Sequence, residues 1–406
     1  MGTVASVAKS ENRNSATAGR ELATLALAAL GRRADLFLVF ATAGYDQAAL
    51  IAAIAEVGGD TPLAGCSGEG VITQSGSDER AYAAVLMAIA SERATFDTFS
   101  VEGLSKDPRG AGAAIAAWVR GLGQRRARCL LLFPDGLTGN STVLLAALQE
   151  GLPEPLPIAG GTAGDLAQFD RTFQYHDGRV LSDAVAAVLI GGDVDVETAV
   201  SHGCEPIGSV RTVTRSDGGT VYEIDGRSAW SVFKEYLDDD PVDLSAADSV
   251  HLSFGERLPA RDAAGYGQYV MRTPFGLDHE SGALFFPGSL AQGSKIQMTR
   301  RDPDRIRQSA MKSATELAAR RSRRPNLVLH FDCAGRGRII FGERASEMAI
   351  TPMQEILGRE LPWLGFHSYG EIAELGGTAY YHNYTVVLLA LYDRERVDGR
   401  GADAGE

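Results

Sequence analysis

Three glycine-rich turns carry the residue types best suited to holding a small polar ligand: 65-GCSGEG, 160-GGTAGD and 365-GFHSYGEI. Glycines at the end of a buried strand let backbone N–H groups face outward, and successive amides form a concave nest for a carboxylate or phosphate. Each turn adds a hydroxyl (Ser67, Thr162, Ser368) and an acid (Glu69, Asp165, Glu371) that would accept a ligand ammonium. The plainer reading is that the glycines only allow a tight reversal and the acids cap helices. Recurrence in three places favours a shared pocket, with the amides and Arg336 holding a carboxylate. The third turn departs from the others, with Phe366, His367 and Tyr369 at positions that are small elsewhere. Cys333 and Arg336 in 331-FDCAGR follow a strand end, where an arginine suits bidentate pairing with a carboxylate or with one of the turn acids. With Cys66 and with Asn383 of 382-HNYT, these residues make up the expected ligand site.

Other chemistries find less support. Cys66 beside exposed amides would have a lowered pKa, so a Cys66-dependent enzyme is an alternative, but no histidine is tied to it by sequence. The glycines flank Ser67 and Ser368 at the wrong offsets for G-x-S-x-G, Ile340 stands where a dinucleotide fingerprint needs glycine, and no P-loop lysine is present. The four cysteines, Cys66, Cys129, Cys204 and Cys333, are widely spaced, against a disulfide framework or a zinc site. Among the histidines, His330 lies inside an apolar run and reads as core, while His176 and His279 border polar loops. His202 follows 194-VDVETAVS and should sit near a strand end, and the absence of C-x-x-C-H excludes covalent haem attachment.

The elements that must position these residues repeat. A short apolar run, a loop, an amphipathic helix and a second strand lead into each turn: 36-LFLVF to 62-PLAGC, 129-CLLLF to 157-PIAGG, and 327-LVLHF to 362-PWLGF. Further apolar strands, 81-AYAAVLMAI, 183-DAVAAVLIG and 384-YTVVLLALY, follow the turns and read as central strands covered on both faces. Residues 205–300 differ, with a hairpin signal at 210-VRTVTRSDGGTVYEIDG and a helix start at Asp302-Pro303. The fold class is therefore α/β, repeated strand-helix-strand units with Gly-rich turns forming mixed sheets.

Bulk properties narrow the partners. The formal net charge of -13 opposes binding to a nucleic-acid backbone. No apolar run is long enough to span a bilayer and no signal peptide is evident, so no membrane association and a cytoplasmic location are expected.

The motifs 64-AGCSGEG, 160-GGTAGD, 203-GCEPIGSVRTVT with 222-YEIDGRSA, 331-FDCAGR, 365-GFHSYGEI and 382-HNYT, in this order, resemble the FIST family of bacterial sensory proteins from about residue 20 to 393. The resemblance implies an N-terminal FIST domain at 20–221 and a C-terminal one at 222–393, flanked by disordered tails at 1–19 and 394–406. It implies no catalysis, binding of a small amino-acid-like ligand, and signalling through a separate partner such as a histidine kinase or a cyclic-dinucleotide signalling protein. One branch of the family looks like haem-binding nitric-oxide sensors that regulate histidine kinases, which makes haem b the alternative ligand, with His202 as its axial residue.

Overall fold

Local signals set the helix starts. Helices Ser15–Leu30, Gln47–Gly58, Ser141–Gly151 and Pro303–Ala319 are capped by Asn14, Asp46, Asn140 and Asp302, whose side-chain oxygens accept from first-turn N–H groups. Asp107 does the same for Pro108–Gly121. Proline at the first turn of the last two suits a position whose N–H has no helical partner. The apolar runs Leu36–Thr42, Cys129–Pro134 and Leu327–Cys333 are buried along their whole length. These elements are taken from a computed structural model that describes residues 2–123, 127–237, 243–244, 250–263 and 266–394.

Three six-stranded sheets share one plan. The first runs Val4–Ser10, Ala84–Ala90, Leu36–Thr42, Leu63–Gly68, Gln174–His176, Arg179–Leu181. The second runs Ala94–Glu102, Ala184–Gly192, Cys129–Pro134, Ile158–Gly161, Glu371–Leu375, Thr378–His382. The third runs Val194–Ser201, Val386–Asp393, Leu327–Cys333, Trp363–Ser368, Gly70–Thr73, Gly76–Asp78. In each, the strand before the helix and the strand entering the glycine turn are parallel neighbours, and the other pairings are antiparallel. The outermost hairpin of every sheet comes from another unit: the second unit completes the first sheet, the third completes the second, and the first completes the third.

One face of each sheet turns inward to a single core, where Phe40, Phe133 and Phe331 occupy matching positions. Their rings meet edge to face, with centroids 5.3 Å (Phe40 to Phe133) and 6.0 Å (Phe133 to Phe331) apart. Helices cover the outer faces. A nine-stranded sheet built from residues 204–301 is inserted between strand Val194–Ser201 and helix Pro303–Ala319. It seats on the third unit, packing Cys204, Tyr269 and Met271 against Cys333 and Tyr384.

The repeated strand-helix-strand plan and the hairpin Arg211–Asp217 with Thr220–Ile224 match expectation. Residues 4–19 do not form a disordered tail. Val4–Ser10 pairs antiparallel with Ala84–Ala90, and Thr3 bonds through N and Oγ1 to the Asp393 carboxylate. The segment's polarity misleads because it is an edge strand, which need bury only part of its surface. The helix expected between 327-LVLHF and 362-PWLGF includes a π-helical turn, Ser346–Ile350, followed by helix Thr351–Leu357. The expected tail at 394–406 lies, beyond Arg394, outside the described residues. No helix among the described residues is long and apolar enough to cross a membrane.

Candidate functional site

Gly65, Gly160 and Gly365 stand at the same point of their units. A Cβ on each would lie 1.8, 2.0 and 1.8 Å from the carbonyl oxygens of Val39, Leu132 and His330, respectively. Counting on from these glycines, Ser67 and Thr162 correspond to His367 rather than to Ser368, and Glu69 corresponds to Gly164 and Tyr369. The borrowed strands agree. Glu371 sits opposite Gly161 as Gln174 sits opposite Cys66 and Val71 opposite Phe366, so Glu371 is not the counterpart of Glu69 or Asp165. The common hydroxyl and acid suggested by residue type are offset in space.

The turns do converge, but they hold one another. Glu69 N donates to His367 O (2.8 Å), Gly164 N to Ser67 O (3.1 Å) and Tyr369 N to Thr162 O (3.2 Å), closing a ring around the pseudo-threefold axis. Amides expected to cradle an anion are therefore already used, and the shared anion nest is overturned. Several side chains are engaged as well. Ser67 Oγ donates to Gly164 O at 2.7 Å and accepts from Phe173 N at 3.0 Å. Asp165 accepts from the N–H groups of Phe169, Asp170 and Arg171 and from the Tyr369 hydroxyl, so it organises a loop in which Leu166, Ala167 and Phe169 have positive φ. Glu69 accepts from Ala167 N (2.9 Å), and burial raises its pKa. Asn383 joins the inserted sheet to the third turn, accepting from Thr273 N and donating to Tyr369 O. Thr162 Oγ1 is buried without a partner.

The distinctive chemistry lies on the outer face of the third sheet. Where the first two units carry Val39 with Ala41 and Leu132 with Pro134, the third carries His330 with Asp332, and His367 stands on the neighbouring strand opposite Asp332. Arg336, from the short turn Ala334–Arg336, is completely buried. Its Nε donates to Asp332 Oδ1 (2.7 Å) and its Nη1 to His202 O (3.1 Å), while Nη2 has no partner. Burial pushes the Asp332 carboxyl up, but the Arg336 charge and the His330 hydrogen bond outweigh this and hold it down at about 2. His330 Nε2 lies 3.1 Å from Asp332 Oδ2, and burial lowers its pKa. His367 is fully buried and both of its ring nitrogens lack partners. Glu79, at the end of the hairpin contributed by the first unit, approaches His367 Nε2 to 3.8 Å and accepts from Arg338 N at 3.0 Å. The sequence reading included Arg336 and His367 but missed Asp332 and Glu79. A histidine and an aspartate alternating along an otherwise apolar strand was the signal for the first; nothing local marks the second.

The two cysteine readings fail on burial. Cys66 lies inside the shared core at 0% exposure, and burial and Asp135 raise its thiol pKa well above the ordinary value, which excludes an activated nucleophile and a ligand contact alike. Cys333 is buried among apolar side chains, and its thiol is raised in the same way. The residues around His202 do not fit a haem. Its Nδ1 accepts from Cys204 N (2.9 Å), Tyr266 meets its ring edge-on at 5.1 Å, and a Cβ on Gly267 would lie 3.2 Å from Nε2, leaving no face for a macrocycle. Burial and the Arg336 charge lower the His202 pKa to about 4, so it is neutral near pH 7.

Glu371 is fully buried. Burial raises its pKa to about 8 despite hydrogen bonds from Ser368 and Thr385. For a carboxyl raised above its unfolded value, the contribution to stability is complete below about pH 4.5 and is lost as pH rises to about 8. Denaturation midpoints of Glu371→Gln should therefore decline less than those of the parent across this window; parallel curves would show that Glu371 does not titrate there.

The chain is similar to an uncharacterized protein of Mycobacterium bovis, 30% identical over 352 residues that cover 86% of this chain and 88% of that protein. An uncharacterized protein of Mycobacterium tuberculosis matches over the same coverage at 28% identity. Among solved structures, a chorismatase superposes with a TM-score of 0.37 at 8% identity, covering 97% of this chain and 99% of that one, a likeness too slight to carry an argument. Residues 35–227 match the FIST N domain and residues 229–374 the FIST C domain. With both domains in sequence along most of its length, the chain belongs to the FIST family, whose domains are generally sensory and ligand-binding.

Proposed function

We propose that this protein is a non-catalytic sensor that binds a small amino-acid-like ligand on the outer face of the third sheet and signals through a separate partner protein, such as a histidine kinase or a cyclic-dinucleotide signalling protein. The observation that carries the reading is the fully buried Arg336 with an unpartnered Nη2, beside His367 with both ring nitrogens unpartnered. A buried polar group left unbonded costs about 1–3 kcal/mol, and more when charged, so such groups are normally satisfied. A ligand carboxylate matches Arg336 through a charge-assisted hydrogen bond. The Glu79 carboxylate, 3.8 Å from His367, supplies an acceptor for the ammonium of a zwitterion. Residues 334–350 cover the cluster, and the π-helical turn within them is a local irregularity of the kind often found at binding sites.

Thermal denaturation in the presence of each common amino acid tests the reading. A ligand at one hundred times its Kd should add about 2.7 kcal/mol of stability. Its decarboxylated amine should add none, because Arg336 would have nothing to hold. If no carboxylate raises the transition, or if the amine works as well as the acid, the assignment to Arg336 fails.

A further inference from the structure

At the end of the molecule opposite the ring of turns, three hollows of about 500, 590 and 340 Å³ adjoin one another. Arg394 borders the second and third, and Arg321 and Arg323 border the third and first. Among the described residues, seven arginines and four acids line them, a local excess of three positive charges on a chain whose net charge is -13. The centre of the excess is Asp195. Its carboxylate serves three guanidinium groups, at 2.6 Å from Arg394, 3.2 Å from Arg321 and 3.3 Å from Arg323. Arg321 also donates from Nε and Nη2 to Glu197 Oε1, at 2.9 and 2.6 Å. A carboxylate has about four acceptor sites and each guanidinium five N–H donors, so the three guanidinium groups carry more donors than these two acids can take up.

We infer that this end of the molecule is a docking channel for an extended acidic segment of a partner protein, with apolar residues between its carboxylates. Half-buried Leu152 and Leu156 in one hollow and Ile356 in another give apolar surface between the arginines, which suits a mixed peptide. A nucleic-acid strand fits less well. Tyr392, the aromatic residue in the lining among the described residues, is 1% exposed and offers no face for a base to stack on. Guanidinium groups already held by intramolecular acids are fixed in place, so a partner carboxylate would meet preorganised donors at lower entropic cost.

Fluorescence anisotropy of the full chain tests the inference, using a labelled peptide of aspartate and glutamate interspersed with leucine. Its lysine-substituted counterpart and a single-stranded oligodeoxynucleotide serve as comparison probes. The acidic peptide is expected to bind and to weaken as salt is added. Arg323→Glu and Arg394→Glu should each weaken it about tenfold or more, since each replaces an attraction by a repulsion. Should either reversal lower the melting transition, Arg324→Glu gives the same readout from a side chain that is 74% exposed. No binding of the acidic peptide, equal affinity in the parent and the reversals, or preferential binding of the lysine peptide or the oligonucleotide would each overturn the proposal. The ligand site at Arg336 is not involved, so its failure would leave this result unaffected.

Discussion

Arg336→Met should lower the stability of the ligand-free protein by about 3–5 kcal/mol, the usual cost of removing one partner of a buried ion pair. Both side chains of the pair are wholly inaccessible, and Asp332 would be left as a buried charge with only His330 to bond it. The sign of the pH dependence makes the prediction specific. In the parent, the depressed Asp332 pKa contributes stability that is present above about pH 3.8 and lost as pH falls through about 2. Without Arg336, burial dominates and the carboxyl pKa rises above its unfolded value, so stability should be greatest in acid and decline towards neutrality. Urea midpoints at mildly acidic and neutral pH measure this. A variant as stable as the parent, or one without the reversed slope, would show that Arg336 does not hold the Asp332 charge. Asp332→Asn in the Arg336→Met background should recover part of the loss at neutral pH.

Gly65→Ala should cost at least about 3 kcal/mol, combining overpacking against a rigid neighbour with backbone strain. The added methyl would lie 1.8 Å from Val39 O, a backbone atom in the centre of the sheet, and Gly65 has a φ of 156°. Gly31→Ala is the comparison. At φ 68° and with nothing within 4 Å of the new methyl, it pays only the left-handed penalty of about 1–2 kcal/mol. Equal losses at the two positions, measured by chemical denaturation, would mean that the close approach of the two strands is not what requires glycine.

Much of the architecture was legible in the sequence because the repeat is written in strands buried on both faces, whose apolar runs stand out. The starts of several helices were equally clear, as at Asp302-Pro303. The site was less legible. Matching the turns by residue type paired Ser368 with Ser67 and Thr162, whereas the register set by Gly65, Gly160 and Gly365 puts His367 there. One residue of offset in a strand moves a side chain to the other face. That offset hid the relation between His367 and the His330–Asp332 pair and gave three turns an anion-binding role that their mutual hydrogen bonds exclude. Glu79 was out of reach for a different reason, since it arrives on a hairpin from a distant part of the chain.

The exchange of hairpins among the three units also governs when the molecule can form during synthesis. The first sheet waits for residues 174–181, the second for 371–382, and the third for the strand Val386–Asp393 at the end of the described chain. Thr3 and its partner Asp393 are 390 residues apart. At typical synthesis rates of about 5–20 residues per second, the early strands would spend tens of seconds on the ribosome with open edges before their neighbours exist. A nascent chain of this design has to be kept from pairing with others until residues 386–393 have been made, because the third sheet closes only on that strand.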